Sequence, residues 1–388
     1  MSARHPAHLL IIDPTVSLSS PAMRGVVLSL PELKARGMEI EVWCWECDPS
    51  LPLDKVVRLP RFGRLPVLGY YAFSFWAMLR AWWLFKIQKV ARPEIIYSVA
   101  WYLPACDVAH LHFSPWDWKA RQRVLGLRSL RDLYERLVNE IALVWANFAL
   151  RITTARAVLC VSEAVAADIR AHQNKFAIKL LPNCYDPSRF NPTVRELHRD
   201  AMRKALKFAP EEKVFVFAST GHYRRKGFLL AVQALEQLRK SHPSARFLVV
   251  GGRPQSLKRL QAQLDSLHPG WREWITFAGM VPDVERYFAA ADGFLFPSYS
   301  EAFALVEVEA AACGLPLFLT GHHGSEMILE DGHNGLLLEF DADSIAAVLA
   351  KFVSGQWKPA PARAARLLDK ATYAQLLAGE LSSILTPC

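Results

Sequence analysis

The sequence predicts an α/β protein made of two doubly wound parallel sheets, one in each half of the chain. Three observations lead there. A chain of 388 residues exceeds what one hydrophobic core usually serves and suggests two domains of about 150–200 residues. Short apolar or β-branched runs alternate with stretches of helical period in both halves, the grammar of strand, helix, parallel strand. Between the halves, Leu181-Pro-Asn-Cys-Tyr-Asp-Pro187 and the polar residues 188–212 read as hinge and linker.

In the first half, Leu9-Leu-Ile-Ile12 is a short apolar run closed by Asp13 and Pro14, as a buried parallel strand would be. Over residues 25–35 the apolar positions Val26, Val27, Leu30 and Leu33 recur at helical spacing, and after Gly37 residues 40–45 read as a strand. Further strands are expected at 95–99, 108–113 and 157–161. The second half repeats the pattern, with strands at 214–218, 246–250, 275–277 and 293–296 and helices at 228–240, 254–267 and 284–291. Both halves are therefore Rossmann-like lobes expected to face a cleft, and ligands of such sheets bind beyond the carboxyl ends of the strands.

Composition closes several other classes. Hydrophobic residues make up 52% of the chain and charged residues 21%, so it buries a large core and is neither disordered nor fibrous. The opening MSARHPAHLLIIDPT offers four consecutive apolar residues before Asp13, against the roughly 7–15 of a signal peptide, and the expected location is the cytoplasm. Seven scattered cysteines fit reduced thiols there. Cys44-Trp-Glu-Cys47 is the one CxxC, and with no second CxxC or HxxxH to complete a site, no metal is expected.

The net charge of +9 is local: residues 55–128 hold twelve basic and three acidic residues, which accounts for the whole excess. Within them, YYAFSFWAMLRAWWLF over residues 70–85 carries eight aromatic residues with Arg80 as its one charge, and Lys86, Lys89 and Arg92 follow. Aromatic rings beside cations suit peripheral contact with an anionic membrane. The alternative is a buried helix of the first lobe with a solvated basic flank. The longest uncharged run, residues 65–79, holds Pro66 and Gly69 and is shorter than the roughly 20 apolar residues of a membrane span. No RRM, KH or helix-turn-helix signature accompanies the charge, and no nucleic-acid partner is expected.

The stretch richest in chemistry is Phe296-Pro-Ser-Tyr-Ser-Glu301-Ala-Phe-Ala-Leu-Val-Glu-Val-Glu309-Ala-Ala-Ala-Cys-Gly314-Leu-Pro316. A strand ends at Phe296, a loop carries Glu301, and a helix runs from about Ala304 until Gly314 and Pro316 stop it. The first helical amides, those of Ala304, Leu305 and Val306, lack intrahelical partners and can hold a phosphate. Glu309, further along, can accept two hydroxyl hydrogen bonds, as from a ribose. Glu307 points about 200° around the helix from Glu309 and reads as an ordinary surface residue.

This stretch resembles the E-x7-E signature of family 4 retaining glycosyltransferases. The likeness continues upstream at Val281 and Tyr287-Phe-Ala-Ala-Ala-Asp292-Gly-Phe-Leu-Phe-Pro297-Ser298, and downstream at Gly321-His-His-Gly324 and Glu330-Asp-Gly332-His-Asn-Gly335. At the hinge, Leu181-Pro182-Asn183-Cys-Tyr-Asp186-Pro-Ser-Arg-Phe190 is similar to the family's P-N-G-V-D-x-x-x-F, and Val158-Leu-Cys-Val-Ser162-Glu163 to its V-S-E turn. Gly221-His-Tyr-Arg224-Arg225-Lys226-Gly227 resembles its basic loop. The resemblance is dense from Val158 to Gly335 and thin before. Ala302 and Ala304 stand where the family usually has glycine, which is tolerable while φ stays negative. Cys184 replaces the hinge glycine, and Met23-Arg24-Gly25 stands for the family's Gly-Gly loop.

The resemblance implies the GT-B fold: an acceptor-binding domain over residues 1–185, a nucleotide-sugar domain over 186–370, and a final helix within 371–388 crossing back to the first domain. It implies a metal-independent transferase that moves a sugar with retention from a nucleotide-sugar, such as a UDP- or GDP-sugar, to a hydroxyl acceptor, with no further cofactor. Glu309 would hold the ribose, the backbone of Val281 the base, and Arg225, Lys226 and the amides of Ala304, Leu305 and Val306 the diphosphate. Glu301 would take the donor sugar's hydroxyls, with Gly221, Arg24 and Gly25 on the donor side. Two fixed cations suit a leaving diphosphate without a metal. Retention would follow a same-face mechanism in which the leaving phosphate takes the acceptor's proton.

On the acceptor side, His110 and His112 share a face of their strand, and His112 lies nearer its carboxyl end, where family members carry acceptor groups. Asp107 and Asp117 are further candidates. Extrapolated from residues 55–128, the acceptor is a lipid-linked glycan or lipopolysaccharide precursor reached at the inner face of the membrane. The alternatives are a catalytically degenerate scaffold, suggested by Ala302 and Ala304, and a nucleotide-sugar epimerase, which the E-x7-E and hinge segments oppose.

Overall fold

The computed structural model describes residues 6–61, 66–127, 130–173 and 175–385. Leu65 and Arg128, which bound two of the stretches above, lie outside the described residues, as do residues 386–388. The chain divides into two compact units, Met1–Asn183 with Asp369–Cys388, and Cys184–Leu368.

The first unit is built on a seven-stranded parallel sheet. Its strands are β1 (Ala7–Ile12), β3 (Met38–Cys44), β5 (Lys55–Arg58), β6 (Ile95–Val99), β7 (Val108–Leu111), β8 (Ala157–Cys160) and β9 (Ala177–Leu180). β2 (Thr15–Val16) and β4 (Glu46–Cys47) form a separate small ribbon. The strand order is β5-β3-β1-β6-β7-β8-β9. β1 and β6 are central and buried on both faces, which is why they read as continuous apolar runs and not as alternation. Helices α1 (Arg24–Ala35), α2 (Pro66–Trp82), α3 (Pro115–Leu125), α4 (Leu130–Ile152) and α5 (Glu163–His172) belong to this unit. The V-S-E turn is a helix start, with Ser162 Oγ accepting from the Val165 amide at 3.2 Å and satisfying one of the free donors of α5.

α2 settles neither of the two readings of the aromatic stretch outright, because it has two faces. Phe73, Ala77 and Ala81 are buried, whereas Phe75 and Trp82, and Trp83 just beyond the helix, are each at least half exposed (60%, 53% and 50%). No helix among the described residues is long and apolar enough to cross a membrane.

The second unit has a six-stranded parallel sheet of β10 (Lys213–Ala218), β11 (Ala245–Val250), β12 (Ile275–Gly279), β13 (Gly293–Phe296), β14 (Leu317–Thr320) and β15 (Gly335–Leu338), ordered β12-β11-β10-β13-β14-β15. Its helices are α6 (Thr193–Ala205), α7 (Phe228–Arg239), α8 (Pro254–Leu267), α9 (Val284–Ala290), α10 (Leu305–Ala312), α11 (Ser325–Ile328) and α12 (Ala342–Val353). The core is rich in phenylalanine: Phe215, Phe217, Phe228, Phe247, Phe294 and Phe318 are fully buried. Truncating any one to alanine is expected to cost about 3–5 kcal/mol.

Residues 188–212, expected to be a linker, instead contain α6 and pack within this unit. Arg195, Arg199 and Arg203 donate to the carbonyls of Ala289, Ala290 and Ala291 at the end of α9, and Arg199 and Arg203 also pair with Asp292. A helix end leaves carbonyls without partners, and here a neighbouring helix supplies the donors. Such a helix and a solvated linker have the same polar composition.

The last helix, α13 (Lys370–Leu385), belongs to the first unit. The Tyr373 ring lies where a side chain at Gly25 would be, 2.6 Å from an ideal Cβ. Arg156 donates to the Ile384 carbonyl at 2.8 Å, and Lys179 pairs with Glu380.

Candidate functional site

In a doubly wound sheet the loops leaving the two strands that flank the reversal of strand order diverge and open a crevice at the carboxyl edge. In the second unit that reversal lies between β10 and β13. The loop after β10 is the basic segment ending at Gly227, and the loop after β13 carries Glu301 into α10. Topology thus brings together at one edge two motifs some 75 residues apart in sequence.

The two loops are fastened to each other. Gly227 has φ +70°, and a Cβ there would lie 1.9 Å from the Pro297 carbonyl oxygen, so only glycine fits. The Tyr299 amide donates to the Arg225 carbonyl at 2.8 Å. Lys226 Nζ lies 3.3 Å from Glu301 Oε1 and 4.9 Å from the centre of the Phe296 ring. Ser298 Oγ donates to the same Glu301 oxygen at 3.1 Å. Burial alone would raise the Glu301 carboxyl, but Lys226, then Arg225 and His322, outweigh it and hold the group below the usual carboxylate range. Glu301 is therefore an ionised acceptor at neutral pH, poised to take hydroxyl hydrogen bonds.

α10 begins beside Glu301. Its N-cap Ala304 has extended backbone with φ −81° and makes no side-chain capping bond, so the first-turn amides of Leu305 and Val306 meet no side-chain acceptor from the cap. Neither Ala302 nor Ala304 adopts positive φ, and alanine is accommodated at both positions. Glu309 is buried in the same helix, and its charge reaches Arg189. Gly221 has open space around it, with its amide accepted by Ser219 Oγ at 3.1 Å. Val281 follows β12 at the same edge, half-buried in its loop.

Glu307 does not lie at the surface as its position around the helix suggested. It is fully buried, with Oε1 2.9 Å from His322 Nε2 in the loop after β14. α10 is enclosed on nearly every side, so the face opposite Glu309 also meets protein. A second feature missed in the sequence is Gly251-Gly252 after β11, with φ +94° and +96°. A Cβ on Gly251 would lie 2.3 Å from the Ser219 carbonyl oxygen, and one on Gly252 2.0 Å from the Tyr223 hydroxyl, so the glycine pair lets this loop close against the one after β10.

The first unit has its own reversal, between β1 and β6. Asp13 follows β1 there, read in the sequence only as the end of that strand. Burial, opposed by the Thr15 amide bond, pushes its carboxyl up to about 7. His112 lies one residue beyond β7, its ring 4.1 Å from that of His110. Burial, and then His110, hold the His112 ring well below its ordinary pKa, so it is neutral at pH 7. Asp107, a candidate for the acceptor side, sits at the opposite, amino-terminal edge, where it pairs with Arg92 and accepts from the Ile96 amide at 2.8 Å, tying the start of β6 to that of β7. Asp117 lies in the first turn of α3 and pairs with Arg121 at 3.2 Å. Arg24 Nε donates to the Leu18 carbonyl at 3.0 Å, and the absent side chain of Gly25 is accounted for by Tyr373.

Two family profiles cover most of the chain: Glycosyltransferase Family 4 matches residues 25–189, and Glycosyl transferases group 1 matches residues 212–354. The chain belongs to the family 4, group 1 glycosyltransferases. Among curated members it is 33% identical to a D-inositol 3-phosphate glycosyltransferase of Nocardia farcinica, over 44% of this chain and 40% of that one. The chain thus spans about two fifths of the length of that relative. The solved structure of WaaG, a glycosyltransferase involved in lipopolysaccharide biosynthesis, superposes with TM-score 0.67 at 19% identity, covering 97% of each chain. HepE of Anabaena, in complex with UDP and glucose, superposes with TM-score 0.61 at 19% identity, covering 97% of this chain and 99% of that one. Two parallel-sheet α/β units in this arrangement of strands are the GT-B fold of family 4. In this family 4 chain, the second unit carries the signature glutamates and basic loop at its topological switch point.

Proposed function

We propose that the protein moves a sugar, with retention, from a nucleotide-sugar to a hydroxyl of a lipid-linked glycan or cell-envelope precursor. The observation that carries this is the 3.3 Å meeting of Lys226 with an ionised Glu301 at the switch point, beside a helix start without a side-chain cap. Glu309 takes the ribose and the Val281 backbone the base. Lys226, Arg225 and the amides of Leu305 and Val306 take the diphosphate. As the bond from the sugar's anomeric carbon to the phosphate breaks, charge grows on the leaving oxygen, and fixed cations stabilise that charge more than the ground state. Two side-chain cations fill the role a metal ion plays in other phosphate chemistry, so no metal is required. The new bond forms on the same face, and the acceptor's proton passes to the leaving phosphate. His112, neutral at pH 7, is the acceptor-side group, able to accept a hydrogen bond from a hydroxyl.

Support for a membrane-borne acceptor comes from the first unit. In addition to the exposed aromatic residues of α2, α4 carries Leu130, Leu133, Leu137, Ile141, Val144 and Phe148 exposed at spacings of three and four residues, one apolar stripe that follows the basic region in sequence. Lys86 and Lys89 are exposed next to Trp82 and Trp83. This combination suits the inner, anionic face of a membrane, and one structural neighbour is described as acting in lipopolysaccharide biosynthesis. Flotation with phosphatidylglycerol-containing liposomes tests this part. The wild type is expected to float and a Phe75→Ser/Trp82→Ser/Trp83→Ser protein to lose most of the bound fraction while its melting temperature is kept. Wild type that stays at the bottom of the gradient would overturn the membrane assignment. Release of nucleoside diphosphate from UDP- and GDP-sugars tests the transferase itself, and no release from any of them, with or without lipid-linked acceptor, would contradict it.

A further inference from the structure

The Glu307–His322 pair lies behind the donor site and has no part in the roles assigned above. Both side chains are fully buried, and Nε2 of the ring stands 2.9 Å from Oε1 of the carboxylate. The contact lies off the ring N–H axis, so it is an ion pair before it is a hydrogen bond. The other ring nitrogen, Nδ1, lies 3.1 Å from the His323 carbonyl oxygen. Nδ1 is thus placed to donate to a backbone carbonyl, while Nε2 stands close enough to the Glu307 carboxyl for the two to meet as opposite charges.

The loop bearing His322 is packed directly on the turn bearing Glu301. Gly324 has φ +89°, and a Cβ there would come 2.7 Å from Phe303 Cα and 3.0 Å from the Ala302 carbonyl oxygen. Thr320 Oγ1 donates to the Ser298 carbonyl at 2.5 Å, and Ser298 Oγ donates in turn to Glu301. Ser325 Oγ donates to the His322 carbonyl at 2.7 Å and fixes the loop's own shape. The Phe296 ring has Lys226 Nζ 4.9 Å from its centre and the His322 ring edge-on at 6.3 Å. The charged groups whose fields reach His322 are Glu307 on α10 and Glu301 on the loop before it, and those reaching Glu301 include Lys226 and Arg225 on the basic loop. Charges therefore alternate in sign across the interior: Glu307, His322, Glu301, Lys226.

We infer that Glu307 and His322 form a positioning latch, which holds the Glu301–Ala304 turn in its donor-binding shape and supplies a buried cation that keeps Glu301 ionised. This rests on the donor-site assignment of Glu301. Glu307 makes the device self-consistent, since an imidazolium without a carboxylate partner in that interior would lose its proton. The electrostatics agree: burial works against a charged ring, but Glu307, with Glu301 behind it, pushes His322 up to about 9. Burial raises Glu307 above the usual carboxylate range, with His322 opposing.

The test is the pH dependence of donor turnover in the full-length wild type, His322→Gln and a Glu307→Leu/His322→Leu protein, alongside the affinity of each for the nucleoside diphosphate. The double variant replaces the pair by apolar groups and so guards against a fold lost to one orphaned charge. Glu301 is active ionised, and its carboxyl is held below the usual carboxylate range against burial by Lys226 and Arg225 and then by His322. Removing that last cation is expected to move the acid limb upward. Turnover at pH 7 is expected to fall at least tenfold, with diphosphate Kd within about twofold of wild type because Glu309 and the basic loop are untouched. An acid limb and turnover unchanged in folded variants would overturn the latch and leave the donor site standing. A Glu309→Ala protein that binds diphosphate as the wild type does would overturn the donor site, and the latch with it.

Discussion

Glu301→Ala is expected to lower turnover by about a thousandfold, the loss of about 4 kcal/mol of transition-state stabilisation, while diphosphate affinity stays within about threefold. The split follows from where the side chain sits. Glu301 lies on the loop before α10, where the proposed reaction puts the sugar, whereas Glu309 and the first-turn amides lie on the helix. Steady-state release of diphosphate, together with calorimetric affinity, separates the two quantities. Glu301→Gln is the companion variant, because it keeps the shape and the Ser298 contact but not the charge that Lys226 meets. Turnover within tenfold of wild type in both variants, with unchanged melting, would remove Glu301 from the chemistry.

Lys226→Ala is expected to be as severe in turnover and, unlike Glu301→Ala, to weaken diphosphate binding about tenfold or more. Two effects of the same charge combine. In the proposed reaction Lys226 stabilises the leaving diphosphate, and it is the strongest opposing charge holding Glu301 ionised against burial. The direction with pH follows. A carboxyl whose pKa is depressed in the folded protein is functional above that pKa and fails as pH falls through it. With Lys226 gone, burial dominates and Glu301 rises, so activity is lost at higher pH than in the wild type. Lys226→Arg keeps the charge but presents a planar fork where a compact ammonium sits over Phe296, and it should recover only part of the loss. A Lys226→Ala protein with wild-type diphosphate affinity and an unmoved acid limb would contradict both effects.

Much of the site was legible because its chemistry is local in sequence. The strand, the loop with Glu301 and the helix with Glu309 form one contiguous run, and the basic loop sits between an apolar strand and a glycine that only a close approach explains. What escaped depended on partners distant in the chain. Glu307 looked like a solvated residue because helical periodicity supposes one wet face, and α10 has almost none. Its partner His322 arrives from another strand, and nothing in the spacing of either residue announces the other. Residues 188–212 looked like a linker because the carbonyls of α9 that their arginines satisfy cannot be read from composition. β7 ends at Leu111 and not near Phe113, because hydrogen-bonded pairing stops before the apolar pattern does. The apolar surface of α4 went unseen for a related reason: counting charge located the basic region, while an apolar stripe on a helix that also has a buried face resembles core.

The claim on which the rest depends is that the switch point of the second unit holds a nucleotide. Calorimetric titration of UDP, GDP and ADP into the wild type and into Glu309→Ala tests it most directly. One nucleotide is expected to bind the wild type selectively at a single site. Its affinity should fall about ten- to hundredfold in the variant, the effect of removing a charged acceptor of ribose hydroxyls. Binding of all three nucleotides too weak to measure in the wild type, or affinities equal in the two proteins, would contradict the account.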